Sequence, residues 1–165
     1  RELGALPFIV EDLGVITPDV SALRDQFHLP GTRVLQFAFD GHPDNPYLPE
    51  NYAANSVVYT GTHDNPTTRG WFEELPGDQR WNLSRYAQLP DGGGSAAPAL
   101  MDLAWRSRAA LSIAPLQDVL GLGSAARMNV PGRADGNWRW RATEDMLSDP
   151  AFDRLAALTD SSGRR

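Results

Sequence analysis

Apolar residues in this chain come in short blocks, and a polar cluster closes most of them. Leu6-Pro7-Phe8-Ile9-Val10 is an unbroken apolar run, the pattern of a strand buried on both faces in a parallel sheet. After Gly14, Thr17 followed by Pro18 reads as an N-cap and a first helical residue. Val20, Leu23 and Phe27 then recur at helical spacing, and His28-Leu29-Pro30-Gly31 ends the segment. Val34 to Phe39 predicts a second strand, Ser56 to Thr60 a third, and Ile113 to Leu116 a short fourth. Helical segments are predicted around Thr68 to Leu75, Gln79 to Gln88 and Phe152 to Leu158. Another runs through Leu100, Leu103, Ala104, Ser107 and Leu111 with its apolar face inward. The connections include a Pro/Asn/Asp-rich surface loop from Asp40 to Tyr52, a flexible stretch from Leu89 to Pro98, and a Gly-rich loop from Gly121 to Gly136.

Four strands alternating with helical segments make a parallel α/β protein. Each strand ends in polar residues: Glu11-Asp12, Asp40, His63-Asp64 and Gln117-Asp118. Chemistry at the carboxyl ends of parallel strands is the habit of the (β/α)8 barrel and of open doubly wound sheets. Open sheets usually carry a Gly-rich phosphate-binding first turn. The nearest match, Gly121 to Ala126, lacks a full GxGxxG, so the barrel is the better reading. A complete barrel takes about 250 residues, and four βα units amount to half of one. Such a half alone would leave an open apolar sheet edge.

The bulk numbers narrow the partners. The chain has 165 residues and a net charge of −6, which disfavours nucleic acid and anionic lipid. It has no cysteine, hence no disulfide framework and no thiolate metal site, which fits a reducing compartment and a cytoplasmic location. No apolar segment approaches the length that spans a bilayer. The start, Arg1-Glu2-Leu3-Gly4, has neither an initiator Met nor a signal-peptide pattern, and the chain is expected to begin inside a longer sequence.

Each candidate residue also has a structural reading. Glu11 and Asp12 could satisfy loop amides or the following helix N-terminus, and Asp64 could cap the next segment. His63-Asp64 also matches the metal-dependent HD phosphohydrolases, but His28 and His42 are the only other histidines, too few donors for that metal set. The Arg/Trp alternation of Asn137 to Arg141 could stack on bases, although a tail packed on a barrel suits an acidic chain better. Trp71, Trp81, Tyr47 and Tyr52 could stack on sugars or sit in half-buried faces. The constellation says more than its parts. Carboxylates at neighbouring strand ends, with a His beside one and no metal set, suit glycosyl transfer, which needs an acid for the leaving oxygen and a carboxylate across the sugar.

Four segments carry a family resemblance: IVEDLGVITPDV (residues 9–20), YTGTHDNPTTRGW (59–71), PLQDVLGLGSAARMNVPG (115–132) and GNWRWR (136–141). Together they resemble the 4-α-glucanotransferases called amylomaltases or disproportionating enzymes, relatives of the α-amylase clan. The resemblance implies an α/β fold, the C-terminal half of a (β/α)8 TIM barrel, with residues 1–165 supplying about four βα units and a C-terminal helical tail of one catalytic domain. It implies transfer of α-1,4-glucan segments between maltooligosaccharides, starch or glycogen chains, by a retaining double displacement, without cofactor or metal. Glu11 would be the general acid/base, Asp64 the transition-state stabiliser and His63 its helper. Asp40 and Asn129 fall where the family contacts glucan, and Asn65, Gln117 and Asp118 are further candidate substrate contacts.

The family's nucleophile is an Asp in an Arg-x-Asp segment ending the preceding strand, upstream of this chain. Arg133-Ala134-Asp135 matches only its letters, because it follows the last strand in a Gly-rich loop. The chain alone is therefore expected to be inactive and to need the rest of its own barrel. An α-amylase-type hydrolase or branching enzyme is the neighbouring alternative, disfavoured by the ARMNVPG and NWRWR segments. A non-catalytic, carbohydrate-binding half barrel is the alternative from another class.

Overall fold

A computed structural model describes residues 7–89, 96–148 and 150–164. Its centre is a parallel sheet in the order β1 (Gly31–Val34), β2 (Ser56–Tyr59), β3 (Leu111–Ile113). Gly31 aligns with Ser56 and Val34 with Tyr59, while Val57 aligns with Leu111 and Tyr59 with Ile113. Residues alternate between the two faces of a strand. Val58 accordingly joins the helical core, whereas Tyr59 and Ile113 line a cleft on the other face.

Helices α1 (Pro18–Gln26), α2 (Thr68–Glu74), α3 (Gly77–Tyr86), α4 (Ala96–Arg106), α5 (Leu116–Val119) and α6 (Ala151–Ser161) accompany the sheet. The core gathers Leu35 and Val58 with Phe72, Leu83, Leu100, Ala104 and Trp105 from α2, α3 and α4. Burying a side chain of the Leu or Phe kind contributes about 1.5–3 kcal/mol, so this layer fixes where the strand ends lie. α4 packs against α2, α5 and α6. Arg164 ties down its C-terminal end and the turn beyond, donating to Trp105 O (2.6 Å), Ser107 O (2.8 Å) and Ala109 O (2.9 Å). Among the described residues no helix is long and apolar enough to cross a membrane.

The α/β class and the alternation of strand and helix match expectation, but several boundaries move. The expected first strand starts at Leu6, outside the described residues. Of its remainder only Val10 pairs, in one parallel bridge to Gly31. The second strand lies three residues early, and the apolar run from Leu35 to Phe37 turns into a 3-10 helix instead. Leu35 is fully buried there. An apolar run records burial, which a tight turn satisfies as well as a strand does. The fourth strand likewise shifts to Leu111–Ile113, because Pro115 opens α5. α4 starts at Ala96, inside the stretch expected to be flexible, and residues 90–95 of that stretch lie outside the described set. α1 begins at Pro18 as the Thr17-Pro18 pair predicts, yet it buries no residue. Val20, Leu23 and Phe27 all stand exposed.

Candidate active site

The two carboxylates after Val10 part company at once. Asp12 is 7% exposed. It takes the Thr32 amide at 2.5 Å and pairs with Arg24 at 2.5 Å and Arg33 at 3.5 Å. Gly31 stands so close that a Cβ there would lie 2.6 Å from Asp12 Oδ2. Asp12 thus ties the incoming segment to β1 and α1. Glu11 points the other way, exposed in a recess of about 400 Å³ with Ile9, Thr32, Tyr59, Gly61, His63 and Ile113. It is the one carboxylate among the described residues lining that recess.

The loop after β2 builds its own turn. Asn65 Oδ1 accepts from Thr62 N (2.9 Å) and Thr62 Oγ1 (2.8 Å), and Asn65 N donates back to Thr62 O at 3.2 Å. Residues that bond their own backbone two or three positions away favour such turns. Thr67 then caps α2 by accepting from Gly70 N at 3.2 Å. This turn holds His63 and Asp64 outward, their side chains 50% and 48% exposed, with His63 Nε2 3.3 Å from Asp64 Oδ1.

A second segment, residues 127–138, clamps the pair. Asn129 donates Nδ2 to Asp64 Oδ1 at 2.5 Å and its amide to His63 O at 3.1 Å. Arg127 donates Nη2 to Asp64 O at 2.7 Å and Nε to Asn129 O at 2.8 Å. Trp138 bonds Met128 O through its amide at 2.7 Å and lays its indole near the His63 ring, centroids 5.2 Å apart. Trp138 holds φ +61°, a left-handed backbone that costs a bulky residue about 1–3 kcal/mol and persists only where neighbours enforce it. The Asn137 to Arg141 segment, expected as plain tail packing, therefore reaches the site.

A recess of about 180 Å³, lined by Asn65, Gln117, Arg127 and Met128, adjoins the Glu11 recess through shared walls at Thr62, His63 and Pro115. The result is one trough, with Glu11 on one side of His63 and the 127–138 segment on the other. Burial, and then the negative charge of Glu11, push the Tyr59 hydroxyl above its ordinary pKa. Tyr59 accordingly offers a protonated phenol on the Glu11 side.

The structure thus brings Glu11, His63, Asn65 and Gln117 to one trough, with Asp64 and Asn129 joined through His63 at its lip. Gln117 spends one amide hydrogen on Ala126 O at 3.2 Å. Two candidates lie elsewhere. Asp40 lines neither recess. It accepts from His42 N at 3.0 Å, and that bond holds its carboxyl below the usual range. Asp118 is 2% exposed and spends its carboxylate on Thr60 Oγ1 (2.6 Å), Thr68 Oγ1 (2.6 Å) and Thr68 N (2.7 Å). That corrects its reading as a glucan contact. It stands after a strand, but α5 turns it inward, where it bolts β2 to α2. Tyr59, Arg127 and Trp138 fall inside the segments that carry the family resemblance, but the sequence assigns none of them a role of its own, because only long-range contacts give them one. Among the described residues no three His, Asp or Glu side chains gather as a metal site.

A parallel sheet with a carboxylate, and a His-Asp pair beside it, at the carboxyl ends of its strands defines an α/β protein of the strand-end-site class. Its family is equally definite. The profile of the 4-alpha-glucanotransferase family matches residues 1–147, and the chain belongs to that family. It is 53% identical over 161 residues to the 4-alpha-glucanotransferase of Synechocystis, covering 97% of this chain and 32% of that one. Against the Thermus thermophilus 4-alpha-glucanotransferase it is 50% identical over 169 residues, covering 98% and 33%. Among solved structures, an amylomaltase from Streptococcus agalactiae in complex with acarbose superposes with a TM-score of 0.92 at 31% identity, covering 99% of this chain and 33% of that one. The chain spans about a third of the length of these relatives.

Proposed function

We propose that a full-length protein carrying this chain transfers α-1,4-glucan segments between oligosaccharides with retention of configuration, and that residues 1–165 form the C-terminal part of its single catalytic (β/α)8 barrel. The observation that carries this reading is the trough in which Glu11 faces His63 while Asp64 is locked at the lip by Asn129. An Asp from outside the chain attacks the anomeric carbon, and Glu11 gives its proton to the departing glycosidic oxygen. The glycosyl unit is then bound covalently to the Asp. Glu11, now a carboxylate, takes the proton from the 4-hydroxyl of an acceptor glucan, whose oxygen displaces the Asp and restores the enzyme.

Asp64, oriented by Asn129 and His63, accepts hydrogen bonds from hydroxyls of the distorted sugar, which strengthen in the transition state. Asn65, Gln117 and Asn129 border the space a glucan would fill, and Asp40 would meet it further along. The acarbose complex of the amylomaltase neighbour supports an oligosaccharide ligand. A cytoplasmic site of action accords with the absence of cysteine. No cofactor or metal is required by these steps.

Glu11→Gln in the full-length protein tests the assignment. Disproportionation of maltotriose into glucose and longer chains should fall by at least about 10³-fold, because Gln can neither donate nor accept the proton. Near-normal glucose release would sink the acid/base role.

A further inference from the structure

Away from the His63 trough, α3 and the loop after β1 enclose another cleft, of about 240 Å³, lined among others by Phe39, Gly41, Glu50, Asn82, Arg85 and Tyr86. It shares no lining residue with either recess of the trough. Trp81, Asn82, Arg85 and Tyr86 repeat at helical spacing, so α3 carries all four on one side. Trp81 is 58% exposed, and the Arg85 guanidinium sits 4.6 Å from the centroid of its ring. The contact holds a large aromatic face at the surface beside the cleft.

Inside, Tyr86 donates its hydroxyl to the Glu50 carboxylate and meets Phe39 edge-on at 5.7 Å. Burial, with the bond to Glu50, pushes the Tyr86 hydroxyl well above its ordinary pKa, so it stays a donor. Asn82 Nδ2 reaches Phe39 O at 3.4 Å. Gly41, at φ +91°, passes so close that a Cβ there would stand 3.0 Å from Asn82 Nδ2.

The lining combines aromatic rings with a planar carboxylate, amide and guanidinium, and its charges oppose one another. A phosphate would meet the Glu50 carboxylate. A wholly apolar ligand would lie against the polar heads of Asn82 and Arg85 and cover them from water without offering a hydrogen bond. A pyranose fits both demands, since its C–H face lies on an aromatic ring and its rim of neighbouring hydroxyls pairs with planar polar groups. We infer that this cleft, with Trp81 beside it, binds a sugar unit of an α-glucan chain remote from the unit that reacts. The inference rests on the glucan-transfer reading and extends it. Anchoring a long chain at a second point raises the local concentration of its reacting end, which a short oligosaccharide cannot exploit.

The test uses the full-length protein and its Trp81→Ala/Asn82→Ala variant, with soluble amylopectin as the binding probe and maltotriose as the short substrate. The Kd for amylopectin should rise about fivefold, the scale of one lost aromatic face. Glucose release from maltotriose should stay within about twofold of wild type, as for sites without shared partners. Trp81 lies outside the core, so the single Trp81→Ala variant gives a second reading should the double variant fold poorly by circular dichroism. An unchanged Kd in a folded variant overturns the inference. So does an equal loss of the maltotriose rate, which would make the cleft part of the reacting groove. A wild-type protein that releases no glucose, while its Kd still shifts in the variants, leaves this site standing and fells the transferase reading instead.

Discussion

Asp64 takes its orientation from Asn129, and that single contact carries a measurable share of the proposed chemistry. The Asn129 amide grips Asp64 Oδ1 at 2.5 Å while its backbone holds His63 O at 3.1 Å. A hydrogen bond to a charged group contributes about 1.5–3 kcal/mol, so Asn129→Ala in the full-length protein should lower kcat/KM on maltotriose about 10- to 100-fold. The melting temperature should hardly move, because both side chains sit at the surface. A variant with wild-type kcat/KM would show that Asp64 needs no such grip. At this scale the sequence is read only halfway. Glu11 and Asp12 are neighbours of like chemistry, and nothing local decides which faces the trough. Arg24 and Arg33, which pair with Asp12, decide it from a distance in sequence. Arg127 and Trp138 take no individual role from the sequence for the same reason, since their meaning depends on where residues 127–138 fold back.

At the level of elements, Asp118 shows how a strand-end rule can mislead. Gln117 and Asp118 follow β3 as the rule requires, but Pro115 starts α5 at once and turns Asp118 beneath the trough. There it takes three hydrogen bonds, one from Thr60 and two from Thr68, joining β2, α2 and α5 at one point. Asp118→Ala leaves three donors without their acceptor in a buried place, and each unmet group costs about 1–3 kcal/mol. The full-length protein should lose about 3–5 kcal/mol of unfolding free energy, read as a shifted denaturation midpoint with the slope preserved. A loss below about 1 kcal/mol would mean that water replaces the carboxylate. Gly70 belongs to the same joint. In mid-helix a glycine is about 0.5–1 kcal/mol worse than alanine, yet a Cβ here would collide with Ser124 Oγ and lie 2.9 Å from Ser124 N. The element order was legible because burial leaves apolar blocks. The boundaries were not, since Leu35 to Phe37 satisfies the same burial in a turn.

For the whole molecule, the distribution of carboxylates and of apolar surface leads to one prediction. A retaining glycosyl transfer needs two carboxyl groups about 5–5.5 Å apart, one on each side of the reacting bond. In the proposed reading Glu11 supplies one, and no other described carboxylate lines its recess. Asp12 is bound to two arginines, Asp64 sits at the lip with Asn129, Asp40 lines neither recess, and Asp135 lies in an exposed loop. On the β1 side, Phe8, Ile9, Val15, Val20, Leu23 and Phe27 are all exposed, an apolar surface of the kind that marks an interface. In the proposed reading the described residues hold one carboxylate of the reacting pair, and they leave this apolar surface exposed. The purified 165-residue chain should therefore release no glucose from maltotriose, and its sedimentation coefficient should rise with concentration as the apolar flank finds partners. Adding the remaining part of a full-length protein in trans should suppress that association and restore glucose release if the two parts dock as one barrel. Glucose release by the 165-residue chain alone would place the nucleophile among its own residues and overturn the division of carboxylates proposed above.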